Sequence, residues 1–264
     1  ADKVKAHLAA CRPAGIEILG PDLRRSEWCF LPEEDGIRYG LGAIKGTGQQ
    51  AIENLVRTRG ELAEEGEPIG LFELTSRADP KEVGKIAWEA LIKAGAFDFT
   101  GVNRGCVFHA LEGALADGAQ AATDRRAGQA NLFGSFESED PESAPAEISE
   151  EAPWSRHELL DREHEALGHY LSGHPLEERG GLLSLLSSTT SRAASDLAGS
   201  EISLAGMVRE VEQRVVQSGK NAGKKWATFR LEDLHGNLSV ACYARTYAEY
   251  KEGIVEGEIV VLCG

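Results

Sequence analysis

Residues 39–59 read YGLGAIKGTGQQAIENLVRTR. Four glycines crowd the first half, and the second half has the apolar spacing of a helix. A glycine-rich turn running into a helix is the usual form of a phosphate-binding loop. Two nucleotide-binding patterns are tested by spacing. A P-loop places Lys directly after the last glycine of GxxxxGK[ST], whereas Lys45 precedes Gly46. A dinucleotide fingerprint needs GxGxxG behind an apolar strand. Gly40 and Gly42 fit, but position 45 is Lys and no Val/Ile-rich run precedes.

A third pattern fits better. Leu41, Ile44, Gly46 and Gly48 follow L-x-x-I-x-G-x-G, the spacing of a helix-hairpin-helix. A short first helix ends at a tight corner, where glycine adopts positive φ without Cβ strain. A second helix starts near Gln49. Its first amides have no acceptor within the helix and lie at the positive end of the dipole, so they suit a DNA phosphate and read no base. The expected duplex-binding residues are Lys45, Gly46, Thr47, Gly48 and Gln49. The same residues also fit a plain capped helix followed by another. Many such hairpins carry Ala four residues after the second glycine; here Ala51 comes three after. A weaker second hairpin is expected at LIKAGAFDFTGVNRG, residues 91–105, with Arg104 reaching a phosphate.

The net charge of −15 argues against nucleic acid only if it is evenly spread. It is not. Residues 137–165 hold eleven Asp/Glu against Arg156 and Arg162, a net −9, whereas residues 201–231 hold six Lys/Arg against three Glu, a net +3. No apolar run is long enough to span a membrane. Five scattered cysteines with no CxxC predict neither a disulfide framework nor a zinc site, and a reducing cytoplasm is expected. The N-terminus has no signal-peptide core and no Met, and reads as a cut inside a longer protein.

Along the chain, a short helix is expected in DKVKAHLAACRPAG, residues 2–15. Val83, Ile86, Ala87, Ala90 and Leu91 form one apolar helical stripe, started by Asp79 as cap and Pro80 in the first turn. Residues 103–115 form a further helix. Residues 117–155 lack periodicity and read as a linker. Ser155 and Glu158 make a capping box for a helix that SGHPL, residues 172–176, ends. From Ile202 the pattern becomes strands. His157, His164, His169 and His174 lack i, i+4 ligand spacing, so no metal site is expected.

Four separated segments, IRYGLGAIKGTGQQAIENLV (37–56), LIKAGAFD (91–98), EALGHYLSGHPLEE (165–178) and ISLAGMVREVEQRVVQSGK (202–220), resemble the bacterial DNA polymerase III alpha subunits, the C-family replicative polymerases. The resemblance implies a multidomain α + β fragment from behind the active site. Residues 1–36 would be the tail of the fingers, 37–116 a tandem helix-hairpin-helix domain on duplex DNA, and 117–154 a linker with a sliding-clamp peptide. Residues 155–194 would be a helical connector, and 195–264 a C-terminally truncated OB-fold β-barrel. The catalytic palm would precede Ala1, so the fragment is expected not to polymerise DNA alone. It would carry no cofactor, magnesium belonging to the parent polymerase.

QANLFG, residues 129–134, is similar to the family's clamp-binding pattern through Gln129, Leu132 and Phe133, though Ala130 stands where stronger versions have Leu. The pair could instead pack on the preceding domain. In the OB-like region the basic loop QSGKNAGKK and the aromatic residues Trp226, Phe229 and Tyr243 suggest single-strand contacts. Strand alternation puts Trp226 opposite Phe229, which makes Trp226 the stacking residue and Phe229 core. Arg214, Lys220, Lys224 and Lys225 complete the expected single-strand set. An ordinary barrel with a solvated loop fits equally. Expected partners are duplex and single-stranded DNA, the clamp and other holoenzyme subunits, with no membrane. The rivals are a non-catalytic DNA-repair module of the same two folds and a soluble interaction scaffold.

Overall fold

A computed structural model describes residues 2–11, 14–126 and 148–264. The chain divides into two compact units, Ala1–Gly173 and His174–Gly264, each with its own core.

The first unit is helical apart from one small sheet. Helix α1 spans Asp2–Cys11. Strands β1 (Ile18–Leu19), β2 (Leu31–Glu33) and β3 (Gly36–Arg38) pair in the order β1-β3-β2, β1 parallel and β2 antiparallel to β3. Arg38 of the central strand β3 ties to β2 through its ion pair with Glu33 at 2.8 Å. Helices α2 (Gln49–Glu65), α3 (Leu71–Arg77), α4 (Lys85–Ala94), α5 (Arg104–Arg126) and α6 (Arg156–Leu167) follow. Their apolar faces enclose Tyr39, Leu41, Ile52, Leu55, Trp88, Leu91 and Phe97, each at most 1% exposed. Such complete burial supplies most of the drive for folding.

Several boundaries move from their expected positions. Asp79 does nucleate a turn, since its carbonyl accepts from Glu82 and Val83. Gly84 then interrupts the run, so α4 starts at Lys85, five residues later than Pro80 suggests. On α4, Ala87, Ala90 and Leu91 are buried as the stripe requires, but Ile86 is 72% exposed. Helix α5 runs on to Arg126, through ten residues read as linker. Its Gly118 fits because a Cβ there would lie 2.3 Å from the Thr75 carbonyl oxygen of α3. Ser155 caps α6 by accepting from the Glu158 amide at 3.2 Å. The helix ends at Gly168 (φ 80°), before SGHPL is reached.

The second unit holds α7 (Gly180–Leu186), α8 (Ala244–Tyr250) and four antiparallel strands: β4 (Ser203–Val215), β5 (Lys225–Asp233), β6 (Gly236–Cys242) and β7 (Ile259–Cys263). The strand order is β6-β5-β4-β7. Ala227, Phe229 and Leu231 point into the core while Trp226 and Thr228 are half-buried on the other face, as strand alternation requires. A bulge between Arg209 and Glu212, with Glu210 at φ 52°, bends β4. Strand β7 is paired along its length with β4, and no strand pairs with its other side among the described residues. Strands β6 and β7 are the two edges, and the sheet does not close on itself among the described residues.

Candidate nucleic-acid interface

The corner at residues 40–50 is built from below. A 3-10 turn, Leu41–Ala43, buries Leu41 and hangs on the chain entering β2, with the Leu41 amide donating to the Glu27 carbonyl (2.8 Å) and the Gly42 amide to Trp28 (3.0 Å). A Cβ on Gly40 would lie 2.6 Å from the Cys29 carbonyl carbon, and one on Gly42 2.5 Å from the Trp28 ring. These two glycines, the ones that suggested a nucleotide fingerprint, serve close packing.

Gly46 turns the corner at φ 91°, in the region that favours glycine. Gly48 is extended (φ −97°) and is the N-cap of α2, so only one of the two hairpin glycines uses positive φ. Lys45, Gly46, Gly48, Gln49 and Gln50 are all exposed. The Ile52 amide donates to the Gly48 carbonyl, and the amides of Gln49, Gln50 and Ala51 precede that first helical bond. Gly48 has no side chain to cap them. These amides lie at the positive end of a 17-residue helix, on the exposed residues Gln49 and Gln50 and the buried Ala51, and Gln49 comes four residues after the exposed Lys45. The Lys45 amide donates to the Ala166 carbonyl (2.8 Å), which ties the corner to the end of α6. The Thr47 hydroxyl turns back toward the carbonyls of Leu41 (2.9 Å) and Ile44 (2.8 Å), so this part-buried side chain helps hold the turn. Gln49 is partly engaged, donating to Glu53 at 2.8 Å.

The second hairpin has a different character. Gly95 (φ 90°) caps α4, with the Ala96 amide donating to Leu91 and the Gly95 amide to Ile92. The N-terminus of α5 is covered by the segment leading into α6. Asn103 donates to the Trp154 carbonyl and accepts from the Trp154 amide, and a Cβ on Gly105 would lie 2.5 Å from the Ala152 carbonyl oxygen. Arg104, expected on a phosphate, is 5% exposed. Its guanidinium donates to Asp98 (2.6 Å), Glu163 (2.9 Å), Ser172 (3.0 Å) and the Lys93 carbonyl (3.1 Å). Burial alone would lower its pKa, but the carboxylates of Asp98 and Glu163 outweigh that and raise it. Glu163 is fully buried and also accepts from the Leu171 and Ser172 amides and the Ser172 hydroxyl. Arg104 therefore staples the second hairpin to α6 and is not free for DNA. Sequence spacing carried no signal for this, because Glu163 lies 59 residues away.

A family of helix-hairpin-helix motifs matches residues 15–107, which contain both hairpins. DNA polymerase III alpha subunits align with the chain from end to end. The Haemophilus influenzae protein is 34% identical over 270 residues, covering 100% of this chain. Those of Caulobacter vibrioides (32% over 264 residues, 99% of this chain) and Escherichia coli K12 (31% over 272 residues, 100% of this chain) are similar. The chain is homologous to a segment of DNA polymerase III alpha subunits. It spans 22% of the length of each of these three relatives.

In the second unit, the Trp226 ring of β5 stacks on Tyr243 (centroids 6.1 Å apart, planes at 16°), and the Arg214 guanidinium carbon lies 5.9 Å from the Trp226 ring centre. Tyr243 is 71% exposed. Arg214 and Trp226 are cross-strand partners, which explains why they meet. Sequence reading placed Tyr243 on the sheet but left it out of the expected stacking set. Arg214 is also paired with Glu212 at 2.7 Å. Lys220 and Lys224 are exposed in a loop closed by the Val216 amide on the Lys224 carbonyl, and Lys225 is exposed at the start of β5. The clamp-like residues Gln129, Leu132 and Phe133 lie outside the described residues. Among the described residues, no helix is long and apolar enough to cross a membrane.

Proposed function

We propose that this chain is a DNA-holding part of a replicative polymerase alpha subunit. The observation that carries the reading is the corner with exposed Lys45, Gly46, Gly48 and Gln49, leading into first-turn amides that have no intrahelical acceptor, in a chain homologous from end to end to such subunits. The corner receives a phosphate of duplex DNA through backbone amides, a contact that positions without reading sequence.

The second unit acts as an OB-fold. Its strand order and the helix α8 between the third and fourth strands support that assignment. The Trp226–Tyr243 pair, Arg214 and the Lys220–Lys225 loop hold single-stranded template. Gln129, Leu132 and Phe133 tether the chain to the sliding clamp. Catalysis, with its magnesium, belongs to the palm of the parent polymerase, and the site of action is the cytoplasm.

Fluorescence anisotropy with a labelled duplex tests the central claim. Affinity should fall with rising salt, and Lys45→Ala should weaken binding and lower the log–log slope by about 0.9. Salt-independent binding, or none at low ionic strength, would sink the reading in favour of a protein-interaction scaffold. Clamp binding is tested by calorimetry with Leu132→Ala/Phe133→Ala, which should abolish the heat of binding.

A further inference from the structure

Ile86 is the side chain that breaks the apolar pattern of α4. Among the described residues of the first unit, only Ile16 (42%) and Ile86 (72%) are large apolar side chains left exposed. A single exposed apolar side chain is common on protein surfaces, so Ile86 is informative through its position and not through its exposure alone. A β-branched residue in an exposed first turn is a poorer helix former than Lys, Glu or Ala. Its position is informative. A Cβ built on Gly46 would meet Ile86 Cγ2 at 3.3 Å and Ala90 Cβ at 3.6 Å. The glycine that turns the hairpin thus leaves room for Ile86 to lie against the corner. Exposed cations flank it, Lys45 on the corner and Lys85 next to it on α4, and Glu89 lies one turn along.

We infer that Ile86 is a further duplex-contacting residue, an apolar wedge that packs on the deoxyribose edge of the strand whose phosphate sits at the Gly46–Gly48 corner. This rests on the reading that the corner holds a phosphate. A phosphate is covalently joined to its sugars, so whatever seats the phosphate brings C–H surface against the neighbouring side chain. The wedge contributes through apolar burial and releases no counterions. Its contribution is therefore separable from that of the lysines.

The test uses the whole 264-residue chain. Duplex affinity is measured by anisotropy across a salt series for the parent, Ile86→Ala, Ile86→Gln and Lys45→Ala, with thermal melts as a folding control. Ile86→Ala and Ile86→Gln should each weaken binding by roughly three- to tenfold at every salt concentration. Their salt slope should be unchanged, because no phosphate contact is lost. Unchanged affinity in both Ile86 variants, with Lys45→Ala still weakened, overturns the wedge and leaves the corner standing. A lowered slope in either Ile86 variant also overturns it, since Ile86 would then be shaping the phosphate site. If Lys45→Ala and both Ile86 variants all bind as the parent does, the phosphate reading itself fails and takes the wedge with it.

Discussion

At the scale of single residues, Gly46 has the sharpest requirement. Its φ of 91° disfavours any L side chain, and a Cβ would press on Ile86. Gly46→Ala should cost about 1–2 kcal/mol in urea denaturation. Tyr39 gives a pH prediction. Burial, with the Glu163 charge behind it, pushes its phenol up from 10.0 to about 12. An unfolded tyrosine releases its proton near pH 10, whereas the native one keeps it, so the native state binds more protons between about pH 10 and 12. This contribution to stability is complete below pH 10 and lost as pH climbs through about 12. Its hydroxyl has no hydrogen-bond partner among the described residues. Tyr39→Phe should therefore be neutral or mildly stabilising at pH 7, and its melting temperature should decline less steeply above pH 10 than that of the parent. The role of Gly46 was legible in sequence because a positive φ leaves a residue-type signature. Arg104 was not legible: a basic residue in a first turn looks the same whether it faces phosphate or a carboxylate distant in sequence.

At the scale of elements, the start of α2 was readable and its end was not. Its start follows from Gly48, and its buried face from Ile52 and Leu55. Helix α4 was half readable. Periodicity found Ala87, Ala90 and Leu91, but a stripe cannot show where cover runs out at its margin, and Ile86 lies beyond that edge. The two hairpins also share glycine chemistry while differing in exposure, since only the second has a returning segment laid over its helix start. Arg104→Ala separates staple from phosphate ligand. Removing the guanidinium leaves Glu163 buried without its ion-pair partner, so the variant should lose about 3–5 kcal/mol of stability. Well below its new melting point, its duplex salt slope should equal that of the parent, whereas a phosphate ligand would lower it by about 0.9.

At the scale of the whole molecule, the two units have separate cores. Changes at the proposed duplex corner and at the proposed single-strand platform should therefore add. Trp226→Ala should cost about 1–3 kcal/mol in affinity for an oligothymidine, and combining it with Lys45→Ala should change neither effect. An increased penalty in the double variant would mean that the units act as one. The strands of the second unit were accessible from alternation and turn residues, whereas the long-range pairing of β4 with β7 leaves no such local signal. The division of the chain was less so, because composition marks a polar stretch without revealing what flanks it.

Helix α5 before the stretch 127–147, and Trp154 and α6 after it, both belong to the first unit, and Asn103 grips the returning chain at Trp154. The described residues on both sides of 127–147 therefore belong to one body. A protease cut inside that stretch should give two bands under denaturing conditions and one peak in gel filtration. A partner captured there would pull on the first unit from two attachment points.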